Sequence, residues 1–175
     1  MKKQDTLENQ VNLFYLGVGS NLGNKRNNIE KAKYLLEINS VKITKLSSYY
    51  KSPSWPNKNY PPYYNIVIEA KSNLSAKELF VTIKKIEKSL GRIDAKKNSP
   101  RVCDIDIIDF KSRVLSFYIN NNSIEIPHIS LSNRNFVLIP LFEINKKWLH
   151  TKNKKKIRYL LNKLDHKSLT SIKQI

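Results

Sequence analysis

Apolar and polar positions along the chain change period several times, and each change predicts an element. VNLFYLGVGS (Val11 to Ser20) reads as a strand, and the turn and cap chemistry of NLGNKRNN follows it. Ile29, Ala32, Leu35, Leu36 and Ile38 then recur at helical spacing. VKITKLSSYYKS alternates Val41, Ile43 and Leu46 with polar residues and predicts a second strand. A Pro-rich loop, PSWPNKNYPP (Pro53 to Pro62), is unusually long for a small domain. YYNIVIEAKS predicts a third strand. SAKELFVTIKKIEKSLG predicts a helix through Leu79, Ile83, Ile86 and Leu90, with a Ser75/Glu78 capping box and Gly91 as its stop. PRVCDIDIIDF (Pro100 to Phe110) is the fourth strand.

The order β-α-β-β-α-β is that of an α+β, ferredoxin-like sandwich with an antiparallel sheet. Its two crossover helices share one face and leave the other free. A C-terminal hairpin at RVLSFYIN and NNSIEIP, and extra helices beginning in LSNRNFVLIPLFEIN, complete the prediction.

Composition narrows this picture. A length of 175 residues fits a single domain, 1–175, with 1–11 and about 165–175 expected to fray. No apolar run approaches the roughly 20 residues that span a bilayer, and MKKQDTLENQ is not a secretory signal. A soluble, cytoplasmic protein without membrane contact is expected. The lone Cys103 cannot form an internal disulfide, which agrees with a reducing compartment.

The net charge of +18 invites a nucleic-acid reading. Against it, lysine outnumbers arginine 26 to 6, and Lys, Asn and Ile fill more than a third of the chain, a bias that A+T-rich coding produces with no partner. TKNKKKIRYLLNKL (Thr151 to Leu164) reads as the solvated face of a terminal helix.

Asp104 and Asp106 interrupt the fourth strand two positions apart, so both carboxylates leave one face. At roughly 6–7 Å they repel by about 2–3 kcal/mol at an effective dielectric near 20. Cys103, Ile105 and Ile107 alternate with them and belong beneath the helices, so the acidic face is the open one. The same parity sets Asp109 opposite the pair and outside any metal site. Two carboxylates on a rigid strand suit Mg²⁺ with phosphate oxygens, although an isolated D-x-D is equally a pair of solvated acids.

Arg92, Lys96, Lys97 and Arg101 precede the strand, and His128 and Arg134 follow it. Cations beside acids are what a polyphosphate bridged by Mg²⁺ needs. In the Pro-rich region, Tyr63 could stack on a planar ring, and Asn65 on the same face carries donor and acceptor for a heterocycle edge. Core packing with a turn contact would place the same two residues there.

Four blocks, YLGVGSNLGN, SSYYKSPSWPNKNYPPYYN, LGRIDAKKNSPRVCDIDII and IPHISLSNRNFVLIPLFEI, together resemble the 6-hydroxymethyl-7,8-dihydropterin pyrophosphokinases, in that family's order. The resemblance implies transfer of diphosphate from ATP to 6-hydroxymethyl-7,8-dihydropterin in folate biosynthesis, by a monomer that needs no nucleic acid. It implies two Mg²⁺ ions on Asp104 and Asp106, with Arg92 and Arg101 beside them in catalysis. Tyr63 and Phe136 would sandwich the pterin, Asn65 would pair with its edge, and the backbone around Ser52, Pro53 and Trp55 would close the pocket. Glu87, Arg92, Lys97, Arg101, His128 and Arg134 fall to the nucleotide. Asn98 stands where the family commonly has tryptophan, Asp94 where a basic residue is frequent, and Ser123 near a frequent arginine. Pro56 replaces a glycine and Tyr60 a glutamine. The competing readings are a ferredoxin-like RNA-binding module and a degenerate family member with weakened ATP binding.

Overall fold

In the computed structural model, which describes residues 11–92, 99–119, 122–128 and 130–175, the central strand is β1 (Asn12–Ser20). Antiparallel neighbours flank it: β4 (Tyr63–Ser72) on one side and β5 (Asp104–Phe110) on the other. The outer edge of β4 is shared by β2 (Lys42–Leu46) and β3 (Tyr50–Ser52). This is the expected sandwich, with one expected strand broken in two. The break falls at Ser47, whose backbone N–H donates to Val67 O while its hydroxyl accepts from Val67 N, and at Ser48, whose N–H and hydroxyl both donate to Glu143. Those bonds turn the chain where a ladder would have continued.

Helices α1 (Lys25–Ile38) and α2 (Ala76–Ser89) cover one face. Asn24 caps α1, and the Ser75/Glu78 box caps α2 with both reciprocal hydrogen bonds formed. At the far end of α2 the N–H groups of Gly91 (φ +93°) and Arg92 donate back to Lys88 O and Glu87 O, so the sequence-predicted stop is a glycine C-cap. Phe14, Leu16, Ile29, Leu36, Leu79, Ile83, Ile105 and Ile107 meet in this layer. Each such side chain, once buried, contributes about 1.5–3 kcal/mol. Ile38, read as part of the apolar stripe, is exposed.

The second face is not free. The helix α3 (Asn135–Ile144) and the short α4 (Ile157–Asn162) pack on its far end through Val137, Leu138, Leu141, Ile157 and Leu160, against Tyr15, Val67 and Ile108. The lysine-rich segment read as a solvated terminal helix is therefore only partly one. A separate hairpin, β6 (Leu115–Ile119) and β7 (Asn122–Ile126), follows β5 as predicted. The C-terminal stretch expected to fray forms α5 (His166–Thr170) and β8 (Lys173–Gln174), which pairs with β3. Residues 1–10, also expected to fray, lie outside the described residues.

Parity along β5 holds from Asp104 to Ile107 and then breaks. Leu16 is opposite Ile107 and Tyr15 opposite Asp109, so Ile108 is the extra residue of a β-bulge. Asp109 consequently turns to the side of Tyr15 and Trp148, the same side as Asp104 and Asp106, and the expectation that it points the other way is corrected. Its oxygens accept from Trp148 Nε1 at 2.8 Å, Thr151 Oγ1 at 3.1 Å and Ser112 N at 2.8 Å, and it is buried. It is excluded from a metal site by those bonds, not by its face.

Candidate active site

The uncovered end of the second face carries the expected residues in rows across three strands. One row is Asp104, Gly19 and Asn65; the next is Asp106, Gly17 and Val67. The two glycines of GVGS on β1, Gly17 and Gly19, floor the site without side chains. A Cβ at Gly19 would lie 3.0 Å from Asn65 Oδ1 and 3.4 Å from Tyr63, so only glycine leaves both side chains where they are. Their role was not read from the sequence, although two glycines at i and i+2 of a strand are the signal for a close approach.

On the β5 side both aspartates are paired with arginines. Asp104 Oδ1 accepts from Arg92 Nη1 at 2.8 Å and Arg101 Nη1 at 2.7 Å. Burial pushes the Asp104 carboxyl up, but Arg101, Arg92 and Lys84 more than offset it and hold it below the usual range. Asp106 Oδ2 accepts from Arg134 Nη1 at 2.6 Å, and Arg134 Nη2 is 3.1 Å from His128 Nε2. Burial, then Arg134, lower the His128 pKa, and His128 Nδ1 accepts from Ser130 N at 3.0 Å. Arg134 also sits 5.7 Å above the ring of Phe136, in the first turn of α3.

Behind this cluster lies Glu87. Expected on the nucleotide side, it is fully buried instead: its oxygens take Ile105 N at 2.7 Å, Lys84 Nζ at 2.8 Å and Arg92 Nη1. Burial raises its pKa against the pull of Lys84, Ile105 N–H and Arg92. It reaches a ligand only indirectly, through its partners Arg92 and Lys84.

On the β4 side, Tyr63 and Asn65 share the site face with Val67. Asn65 Nδ2 donates to Ser52 Oγ at 2.9 Å, and both residues are buried. Burial raises the Tyr63 pKa, and the next cause is the Asp104 charge, which places that ring beside the acidic row. Pro53 is exposed and the Trp55 indole is 75% exposed, so any part these residues have in the pocket falls to their backbone, as expected of them. Lys97, together with Asp94, Lys96 and Asn98, lies outside the described residues.

Next to the acidic row opens a cavity of about 810 Å³ between α2 and the β6–β7 hairpin, with Asp106 and His128 at its inner end. Phe80, Lys84 and Lys88 of α2 form one wall, and Ile107, Ile126 and Ser123 lie on the others. The sequence reading missed this lysine wall, although the i, i+4, i+8 spacing of those three α2 residues puts them on one helix stripe. Among the described residues no group of three or more His, Cys, Asp or Glu side chains gathers to hold a metal, and no helix is long and apolar enough to cross a membrane. Among the described residues Asp104 and Asp106 each give one oxygen to arginine, and the other oxygen suits a hard cation that brings phosphate ligands of its own, the mode in which Mg²⁺ binds.

The family model described as 7,8-dihydro-6-hydroxymethylpterin-pyrophosphokinase matches residues 15–146. A 2-amino-4-hydroxy-6-hydroxymethyldihydropteridine pyrophosphokinase of Aquifex aeolicus is 39% identical over 136 residues, covering 78% of this chain and 82% of that protein. The enzyme of the same name from Haemophilus influenzae is 31% identical, covering 74% and 79%. The folic acid synthesis protein fol1 of Pneumocystis carinii is 33% identical over 86% of this chain, which spans 20% of that longer protein. Among solved structures, wild-type HPPK-DHPS of Plasmodium falciparum superposes with a TM-score of 0.77 at 17% identity, over 97% of this chain and 45% of that one. That last likeness is one of fold.

Proposed function

This chain belongs to the 7,8-dihydro-6-hydroxymethylpterin-pyrophosphokinase family, and from that membership we propose that it transfers diphosphate from ATP to 6-hydroxymethyl-7,8-dihydropterin in folate biosynthesis. The observation that carries the reading is the row Asp104, Gly19, Asn65. A carboxylate held by two arginines and a side-chain amide flank one glycine there, beside a cavity of about 810 Å³, which supports a phosphate station next to a heterocycle-pairing group.

In the reaction the hydroxymethyl oxygen attacks the β-phosphorus. The bond from that phosphorus to the α,β-bridging oxygen breaks, AMP leaves with the oxygen, and the hydroxyl proton passes to solvent. Little covalent work falls to the protein, so its tasks are positioning and charge neutralisation. Tyr63 and Phe136 hold the two sides of the pterin ring, and Asn65, steadied by Ser52, pairs with its edge, while the backbone of Pro53 to Trp55 borders the pocket. Arg92, Arg101 and Arg134 exchange their carboxylate partners for phosphate oxygens as the polyphosphate arrives. His128 borders the Arg134 guanidinium, and Glu87 retains Arg92 throughout. Asp104 and Asp106 would hold two Mg²⁺ ions shared with the phosphates; such ions offset polyphosphate charge and acidify the acceptor hydroxyl. Lys97 falls to the same nucleotide. Every residue in this assignment comes from one chain, so the reading needs no second copy.

An RNA-binding ferredoxin-like module would place exposed aromatics, not two aspartates, on this face. Calorimetry with a non-hydrolysable ATP analogue, Mg²⁺ and 6-hydroxymethylpterin tests the reading. Pterin binding that strengthens with the nucleotide is expected. Binding of neither ligand, or salt-sensitive RNA binding in their place, overturns it.

A further inference from the structure

Asn21 is buried to 0% exposure at the end of β1, yet among the described residues its hydrogen bonds run to other loops. Its backbone N–H donates to Arg101 O at 3.1 Å, and its Oδ1 accepts from Arg101 N at 2.6 Å. Its Nδ2 donates to Pro61 O at 3.1 Å. One side chain thus joins the residue that grips Asp104 to the segment that leads, two residues later, into Tyr63.

The chemistry of the amide explains why asparagine stands there. Two backbone groups of opposite sense must be met from one short side chain, an N–H from Arg101 and a C=O from Pro61, and a carboxamide offers an acceptor and a donor about 2.3 Å apart. Burial makes both bonds costly to leave unmade. Resting on the pyrophosphokinase reading, we propose that Asn21 is a positioning residue that couples the two substrate stations: phosphate seated at Arg101 fixes the Arg101 backbone, Asn21 transmits that order to Pro61, and the Tyr63 ring is held for the acceptor. Ordering paid by the first ligand is then not repeated for the second, which is positive cooperativity between nucleotide and pterin.

The test measures pterin affinity with and without a non-hydrolysable ATP analogue and Mg²⁺, in the wild-type protein and in Asn21→Ala and Asn21→Asp. The wild-type protein should bind pterin roughly 5- to 150-fold more tightly when the nucleotide is present. Asn21→Ala should lose most of that factor. Asn21→Asp keeps the acceptor for Arg101 N–H and loses the donor to Pro61, so it should bind nucleotide almost as the wild-type protein does and still lack the enhancement. A variant that keeps the full enhancement overturns the proposal while leaving the pyrophosphokinase reading intact; a wild-type protein that binds neither ligand overturns that reading. Hydrogen exchange on the unmutated chain provides an arm independent of variant folding. Nucleotide alone should slow exchange across Asn57 to Tyr64, and unchanged exchange there overturns the coupling.

Discussion

Gly19 of β1 lies opposite Asn65 of β4, and a methyl group placed on Gly19 would come within 3.0 Å of Asn65 Oδ1. That separation is tighter than ordinary carbon–oxygen contact, so Asn65 must give by a few tenths of an ångström and its bond to Ser52 is strained. Gly19→Ala should therefore weaken pterin binding about tenfold, or ~1.4 kcal/mol, with nucleotide affinity little changed. Gly17→Ala is the control: its Cβ would meet Ile108 Cδ1 at an ordinary 3.4 Å. Calorimetry on both variants checks the pair, and equal losses in the two would remove the special role of Gly19.

The arginine pairs of the acidic row set a second prediction. Asp104→Asn and Asp106→Asn keep the shape and lose the charge, so AMP formation should fall by at least a factor on the order of 10²–10³. Thermal melting should move little, because Arg92 retains Glu87 and both aspartates are partly exposed. A melt displaced as far as the activity would mark a folding role instead.

Glu87 yields a prediction that separates positioning from stability. Glu87→Ala leaves the buried Ile105 N–H without its acceptor, a loss of about 1–3 kcal/mol, and frees Arg92 from its inner partner. Glu87→Gln keeps an oxygen for Ile105 N–H while removing the charge that holds Lys84 and Arg92. The glutamine variant should be nearer wild type in urea denaturation and nearer the alanine variant in its KM for ATP. If KM in both variants matches wild type, Glu87 has no hold on the nucleotide through Arg92.

Much of this architecture was legible in the period of the apolar residues. Leu79, Ile83 and Ile86 declared α2, and the alternation from Asp104 to Ile107 declared the open face. What misled was local. Nothing in the sequence of β5 announces that Ile108 bulges, because the bulge is a relation to Tyr15 on another strand, and one inserted residue reverses the parity of Asp109. The strand break at Ser47 likewise depends on Glu143, 95 positions beyond Ser48 in the chain. Covering of the second face by α3 and α4 could not be weighed from helices whose partners were not yet placed. In the site, side chains with charge or rings were readable, whereas Gly17, Gly19 and Asn21 act by size and by backbone contact and carry no such label.

In the Pro-rich loop, Ser54 is 2% exposed, and among the described residues its Oγ is the buried side-chain polar atom with no hydrogen-bond partner. A hydroxyl held dry without a partner destabilises, by about 1–3 kcal/mol relative to a methyl group. Ser54→Ala should raise the unfolding free energy of the ligand-free protein by about 1 kcal/mol, roughly a 2–4 °C rise in Tm at this chain length. A lower Tm would show that the hydroxyl is satisfied in solution.

At the far end of the sheet, Glu69 gathers three donors: Tyr15 OH at 2.7 Å, Thr44 Oγ1 at 3.0 Å and Lys45 Nζ at 3.1 Å. Burial pushes its carboxyl up, but these donors prevail and hold it below the ordinary value of 4.5. The same bond helps push the Tyr15 phenol, already raised by burial, to about 12. A carboxyl whose folded pKa lies below its unfolded one adds stability that is complete above the unfolded value and fades as pH falls through the folded one. An amide at this position can accept at one oxygen only, so Glu69→Gln should be less stable than the wild-type chain by about 1–3 kcal/mol at pH 7. That gap should persist down to roughly pH 5 and close progressively below about pH 4.5 as the wild-type carboxylate takes up its proton. Urea denaturation of both proteins from pH 7 to 3 measures it, and a gap that stays constant over that range would mean that the Glu69 charge contributes nothing to the fold.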